Sequence, residues 1–140
     1  MPDKVFIDTN VFVYLSLDNP HHAAKRNEAI SLINSLHDST ITISVQVLNE
    51  LYNVLIKNKV GDSVIQKKLN EIIKYTTVYD ITEATVRNAW KMRLKYNYSL
   101  YDCMIIASAL EADCTTLYSE DLQDGQKIGK SLMISNPFLT

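Results

Sequence analysis

The sequence predicts an α/β fold: a central parallel sheet with helices on both faces. Three observations carry that expectation. Short apolar runs, such as residues 5–7, do not alternate with polar residues, which suits strands buried on both sides. Longer stretches of helical period separate these runs, and strands that alternate with helices imply parallel pairing. Only three Gly and three Pro occur in 140 residues, which argues for long helices and short connections.

The elements follow in order. After the strand at 5–7, residues 10–17 form a short helix that stops at the polar "DNPHH" break. Residues 21–35 read as an amphipathic helix with Ala24, Ile30 and Ile33 inward. Residues 41–44 are β-branched and short, a second strand. A strongly periodic helix fills 45–58 with Ser44 placed to cap it, and Asp62 caps another running to about Tyr75. Residues 76–81 are rich in β-formers; Thr82 then caps a helix to about Tyr96, and Ser99 caps the helix at 100–112. Strands at 115–119 and 132–135 close the chain, separated by "EDLQDGQ".

The expected organisation is one domain, residues 1–140. Composition, 46% hydrophobic and 21% charged, is that of an ordinary globular protein. No apolar run approaches the ~18 residues that span a bilayer, and no basic segment precedes a longer apolar core at the start. Cys103 and Cys114 match no zinc or disulfide spacing and read as buried thiols. A cytoplasmic protein with no membrane partner is expected. The net charge of −2 gives no global attraction to nucleic acid, so any such role needs a local basic patch or a bound cation.

The acids are more informative. In open α/β sheets, ligands bind beyond the carboxyl ends of the strands. Asp8 ends the first strand, Asp121 lies just past Ser119 at the end of a later one, Glu50 is in the second turn of its helix, and Asp102 is in the first turn of another. At about 100° per residue, Glu50 borders the apolar face of its helix, and Asp102 lies within an apolar arc beside Ile106 and Ala109. Each has a plain structural reading. Asp8 alone could start a turn or cap the next helix, Asp102 could complete a capping box with Ser99, Glu50 could be solvated, and Glu120, Asp121 and Asp124 could form a polar loop. Together, four acids at one sheet edge repel: two carboxylates 4 Å apart cost about 4 kcal/mol at an effective dielectric near 20. Such a group takes up protons or binds a cation. With no Cys or His among them, an all-oxygen set suits Mg²⁺ or Mn²⁺, and the chemistry implied is hydrolysis of a phosphodiester.

On these residues the chain resembles the PIN-domain ribonucleases, and among them the VapC-type toxins of toxin–antitoxin pairs. "FIDTNVFVY" resembles the opening strand with its first catalytic Asp (Asp8), "SVQVLNELYNVL" the helix bearing the Glu (Glu50), and "YSLYDCMIIASALEADCTTLYSEDLQDGQ" the third and fourth acidic motifs (Asp102 and Asp121). The resemblance implies a PIN-like three-layer sandwich and a Mg²⁺- or Mn²⁺-dependent endoribonuclease. It places the metal on Asp8, Asp102 and Asp121, with Thr9, Asn10, Ser119 and Asp124 supporting. Glu120, Asp121 and Asp124 could each be the fourth acid; "S-E-D" puts Asp121 at the usual offset. An RNA substrate, a small antitoxin and a homodimer are also implied.

Arg87, Lys91 and Lys95 recur every four residues with Trp90 between them, a stripe suited to phosphates with a ring able to stack a base. A solvated basic face with Trp90 in the core explains the same spacing. His21, His22 and His37 read as surface residues, and Leu48, Leu51 and Leu55 as core or dimer contact. A phosphoryl-accepting receiver wants adjacent acids after its first strand, and a haloacid-dehalogenase-type phosphatase wants Asp-x-Asp; Thr9 and Asn10 fit neither. A housekeeping RNA-processing nuclease and a catalytically silent protein-binding module stand as the alternatives.

Overall fold

A computed structural model describes residues 2–139. Its order is β1 (Lys4–Ile7), α1 (Thr9–Ser16), α2 (Ala23–Ser35), β2 (Thr40–Ser44), α3 (Val45–Lys57), α4 (Asp62–Tyr75), β3 (Thr77–Tyr79), α5 (Glu83–Lys95), α6 (Leu100–Glu111), β4 (Thr116–Tyr118), β5 (Lys127–Ile128) and β6 (Leu132–Ser135). The strands form one sheet in the order β3-β2-β1-β4-β6-β5. Every pairing is parallel except β5 with β6, so the sheet is mixed, with an antiparallel edge.

β1 is central, and its unalternating sequence is explained by position: Val5, Phe6 and Ile7 are all buried. Burying each such side chain is worth about 1.5–3 kcal/mol. Leu51, Leu55, Ile105, Ile106 and Leu117 join the same core, and Cys103 and Cys114 are buried free thiols. α1 packs against both α2 and α3, α3 packs against α4, and α5 packs on α6 as a hairpin.

Four expectations are corrected. Ser44 occupies the N-cap position of α3 but makes no capping bond, and its buried Oγ has no partner. Asp62 lies inside the first turn of α4 with Gly61 at the cap, and its carboxylate instead accepts from the Tyr52 hydroxyl at 2.5 Å. α2 turns Ala29 and Leu32 inward with Leu36 just beyond its end, leaving Ala24 exposed and Ile30 and Ile33 half-buried, because at about 100° per residue Ala24 and Ile30 fall far from that arc and Ile33 at its border. β5 adds a strand between those expected at 115–119 and 132–135, because two residues carry no periodicity. The caps at Thr82 and Ser99 form as expected, the first as a full capping box with Thr85. The three histidines are exposed.

Candidate active site

The chain leaves β1, winds outward through β2 and β3, then crosses to β4 on the other flank of β1. The reversal opens a crevice at the carboxyl ends of β1 and β4, where ligands bind in such sheets. Asp8 stands at its edge. Its backbone N–H still donates to Tyr118 O at 3.0 Å, so it is the last residue held by the sheet. Its Oδ1 accepts from the Thr9 N–H at 2.7 Å, capping α1, and its Oδ2 accepts from Ser119 Oγ at 2.9 Å. The capping role and a functional role thus fall on one side chain. Asp8 as a whole is only 6% exposed. Burial pushes its pKa up from 3.8 to about 7 against the two donors, with the charges of Asp121 and Glu50 adding to the rise.

The other acids are positioned by neighbours on different elements. Half-buried Glu50 accepts from Thr9 Oγ1 at 3.1 Å and from Gln46 Nε2 at 2.5 Å. Gln46 also donates to Tyr101 O at 3.1 Å, bracing α3 against the first turn of α6 one residue before Asp102. Asp102 is half-buried, and its N–H donates to Ser99 Oγ at 3.2 Å. Asp121 donates its N–H to Ser119 Oγ at 3.2 Å and accepts from Asn10 Nδ2 at 3.1 Å. Its pKa is raised by desolvation first, then by Glu120, Asp102 and Glu50, with Lys25 opposing.

The structure therefore brings Asp8, Glu50, Asp102 and Asp121 to one edge of the sheet, where Asp8 feels the charges of Asp121 and Glu50, and Asp121 those of Asp102 and Glu50. Thr9 bonds both Asp8 and Glu50, Ser119 bonds both Asp8 and Asp121, and Asn10 bonds Asp121. Its neighbours separate from Asp121. Glu120 turns to Lys25 and Tyr14. Asp124 accepts from the Asn136 N–H at 2.7 Å, so it fastens the exit of β6 rather than supporting the acids. Gln46 was missed, although its i,i+4 spacing to Glu50 is a readable pair. Lys25 carries no local signal, since its partner lies 95 residues away.

The donors are all oxygen, the type that suits a hydrated divalent cation. Among the described residues, no three His, Cys, Asp or Glu side chains stand grouped to hold an ion. Mg²⁺ uses one or two carboxylates and keeps several waters, so a loose all-oxygen crevice suits it better than a closed cage would. Two buried atoms without partners, Ser44 Oγ and Gln46 Oε1, belong to the same region. Continuing the β1–β2 register past Phe6 and Thr42 places Ser44 beside Asp8.

Next to Glu50 lies a groove of about 520 Å³ lined by Gln46, Asn49, Ile81, Tyr101 and Met104. The basic stripe lies on α5, outboard of the helix bearing Asp102. Arg87 Nε is paired with Glu83 at 2.8 Å, and its guanidinium stands 5.6 Å from the Trp90 ring centre. Trp90 is 51% exposed, so it is not a core residue.

A family model described as the PIN domain matches residues 5–124. No curated protein sequence matches the chain significantly. Among solved structures, a toxin–antitoxin complex from Klebsiella pneumoniae is similar at TM-score 0.71 and 16% identity, covering 95% of this chain and 97% of that one. The sarcin-ricin loop cleaving toxin VapC20 of Mycobacterium tuberculosis is similar at 0.66 and 18%, covering 82% and 88%. VapBC2 of Rickettsia felis, bound to a DNA fragment from its promoter, gives 0.61 and 23%, covering 83% and 86%.

Proposed function

The chain belongs to the PIN-domain family, and we propose that it is a Mg²⁺- or Mn²⁺-dependent endoribonuclease, the toxin of a toxin–antitoxin pair. The observation that carries this is the buried Asp8 carboxyl, held at a strand end by Ser119 and raised in pKa within a group of acids. Isolated, it costs stability; beside a cation, it is ionised and useful.

One domain, residues 1–140, carries the activity. Asp8, Asp102 and Asp121 would hold the ion once they close on it; Thr9 and Gln46 hold Glu50 where it would take a proton from the attacking water. A bound cation supplies charge for the phosphate oxygens and acidifies water. RNA lies along the groove beside Glu50, where exposed Tyr101 offers a ring to a base, and Lys91 and Lys95 contact phosphates farther out. In-line attack leaves a 5′-phosphate on the product.

The toxin reading is supported by likeness to toxins and to toxin–antitoxin complexes. The partner is then a small antitoxin, the toxin acts as a homodimer, and it works in the cytoplasm. Among the described residues, no helix is long and apolar enough to cross a membrane. Finding a small antitoxin-like reading frame beside the gene would favour this reading over a housekeeping nuclease.

The test is cleavage of single-stranded RNA by the purified chain. Mg²⁺ should support it, EDTA should stop it, and Asp102→Asn should lower the rate by about 10³-fold or more while the circular dichroism stays unchanged. Cleavage that persists in the variant, or in chelator, overturns the assignment. A folded wild type with no activity on any RNA favours the silent module.

A further inference from the structure

Glu120 precedes Asp121 in the loop after β4, and its side chain is 14% exposed. It accepts from the Tyr14 hydroxyl on α1 at 2.6 Å and from Lys25 Nζ on α2 at 2.8 Å, and Lys25 also donates to the Tyr14 hydroxyl at 3.2 Å. Aromatic rings fix this group from a third direction. The Lys25 ammonium lies 5.1 Å from the Tyr14 ring centre and 5.6 Å from that of Phe138, and the two rings meet edge-on at 5.1 Å. Among the described residues, the Asp121 side chain has a single bond, from Asn10 at the surface. The loop is thus anchored one residue before the acid that needs placing.

We propose that Lys25, Tyr14 and Glu120 form a clamp that fixes the loop carrying Asp121, and that this clamp sets the affinity of the acidic crevice for its cation. They are positioning residues, and the inference rests on the metal-site reading above. Charge and position predict opposite effects for Lys25. Removing a cation beside a group of acids tightens divalent-ion binding if charge alone matters. Releasing Glu120 and its loop weakens it, as loss of an outer partner of a ligand usually does, by 10–100-fold.

The experiment is Mn²⁺ titration of the full chain, followed by the electron paramagnetic resonance of free Mn²⁺, with amide exchange measured on the metal-free protein. Lys25→Met should raise the Kd on the order of tenfold and speed exchange at the Asp121 amide. Tyr14→Phe, which changes no charge and removes one hydroxyl, should raise it on the order of threefold; Lys25→Arg should bind nearly as wild type. Binding by folded Lys25→Met as tight as wild type, or tighter, overturns the clamp. If Lys25→Met does not fold, unchanged binding and exchange in Tyr14→Phe overturn it. A wild type that binds no Mn²⁺ overturns the function proposed above and the clamp with it, a different result from tight binding by the variant.

Discussion

The acidic crevice and the basic face of α5 both consist of charged side chains at helix and strand positions, yet they differ in connection. In the crevice, Asp8, Glu50 and Asp121 are each bonded by a side chain from another element: Ser119, Thr9 and Asn10. On α5, the one ion pair is local, between Arg87 and Glu83 one turn apart, and Lys91 and Lys95 are exposed without a described ion pair. A charge that the fold surrounds, desolvates and restrains has been placed at a cost. A charge in water has not, and its spacing alone says little.

The largest effect that could break this contrast is on stability. Asp8→Asn removes a buried charge, so the metal-free variant should be more stable than wild type at pH 8 by about 2–4 kcal/mol. The sign follows from the raised pKa. Asp8 binds its proton more tightly folded, at about 7, than unfolded, at 3.8. Its favourable contribution is therefore complete below 3.8 and lost as pH rises through 7. Lowering the pH from 8 to 5.5 should shrink the gap by about 2 kcal/mol, read by urea unfolding at both pH values. Adding Mg²⁺ at pH 8 should stabilise wild type and not the variant. A variant less stable than wild type at pH 8 would sink the reading of Asp8 as a strained carboxylate.

A smaller effect probes the restraint itself. Ser119 donates to Asp8 and accepts from the Asp121 amide, so Ser119→Ala leaves the ionised carboxyl with one fewer donor and the loop with one fewer anchor. Loss of about 1–2 kcal/mol at pH 8 is expected, falling as Asp8 is protonated. The loss vanishes in the Asp8→Asn background if the hydroxyl acts chiefly through that carboxylate, which a double-mutant cycle measures.

Legibility in the sequence follows the same division. The strands at 5–7 and 132–135 and the caps at Thr82 and Ser99 were readable because each depends on a few adjacent residues. The positions of the four acids along one sheet edge were readable because strand ends and the first two turns of a helix place side chains without knowledge of their neighbours. The Lys25–Glu120 pair was not, because nothing local joins residues 95 apart. Nor was the failure of Ser44 to cap α3, since its residue type and position are those of a cap. β5 and the edge of the sheet it makes rest on pairing with β6, a contact that two residues, Lys127 and Ile128, cannot announce.

The basic stripe gives the smallest expected effect and sharpens the comparison most directly. If α5 contacts single-stranded RNA, each phosphate neutralised by a lysine contributes about 0.7 to the slope of log affinity against log salt. Lys91→Ala and Lys95→Ala together should therefore reduce that slope by about 1.4. Arg87→Ala should change it less, because Glu83 already neutralises that guanidinium. Trp90, with its ring half in solvent beneath Arg87, adds a part that salt does not screen: Trp90→Ala should weaken binding by about 1 kcal/mol at every salt concentration. A slope unchanged in the double lysine variant would mean that the face is merely solvated. The acids, the groove and Tyr101 would then have to hold the RNA unaided, and binding should depend on the divalent cation far more steeply than on monovalent salt.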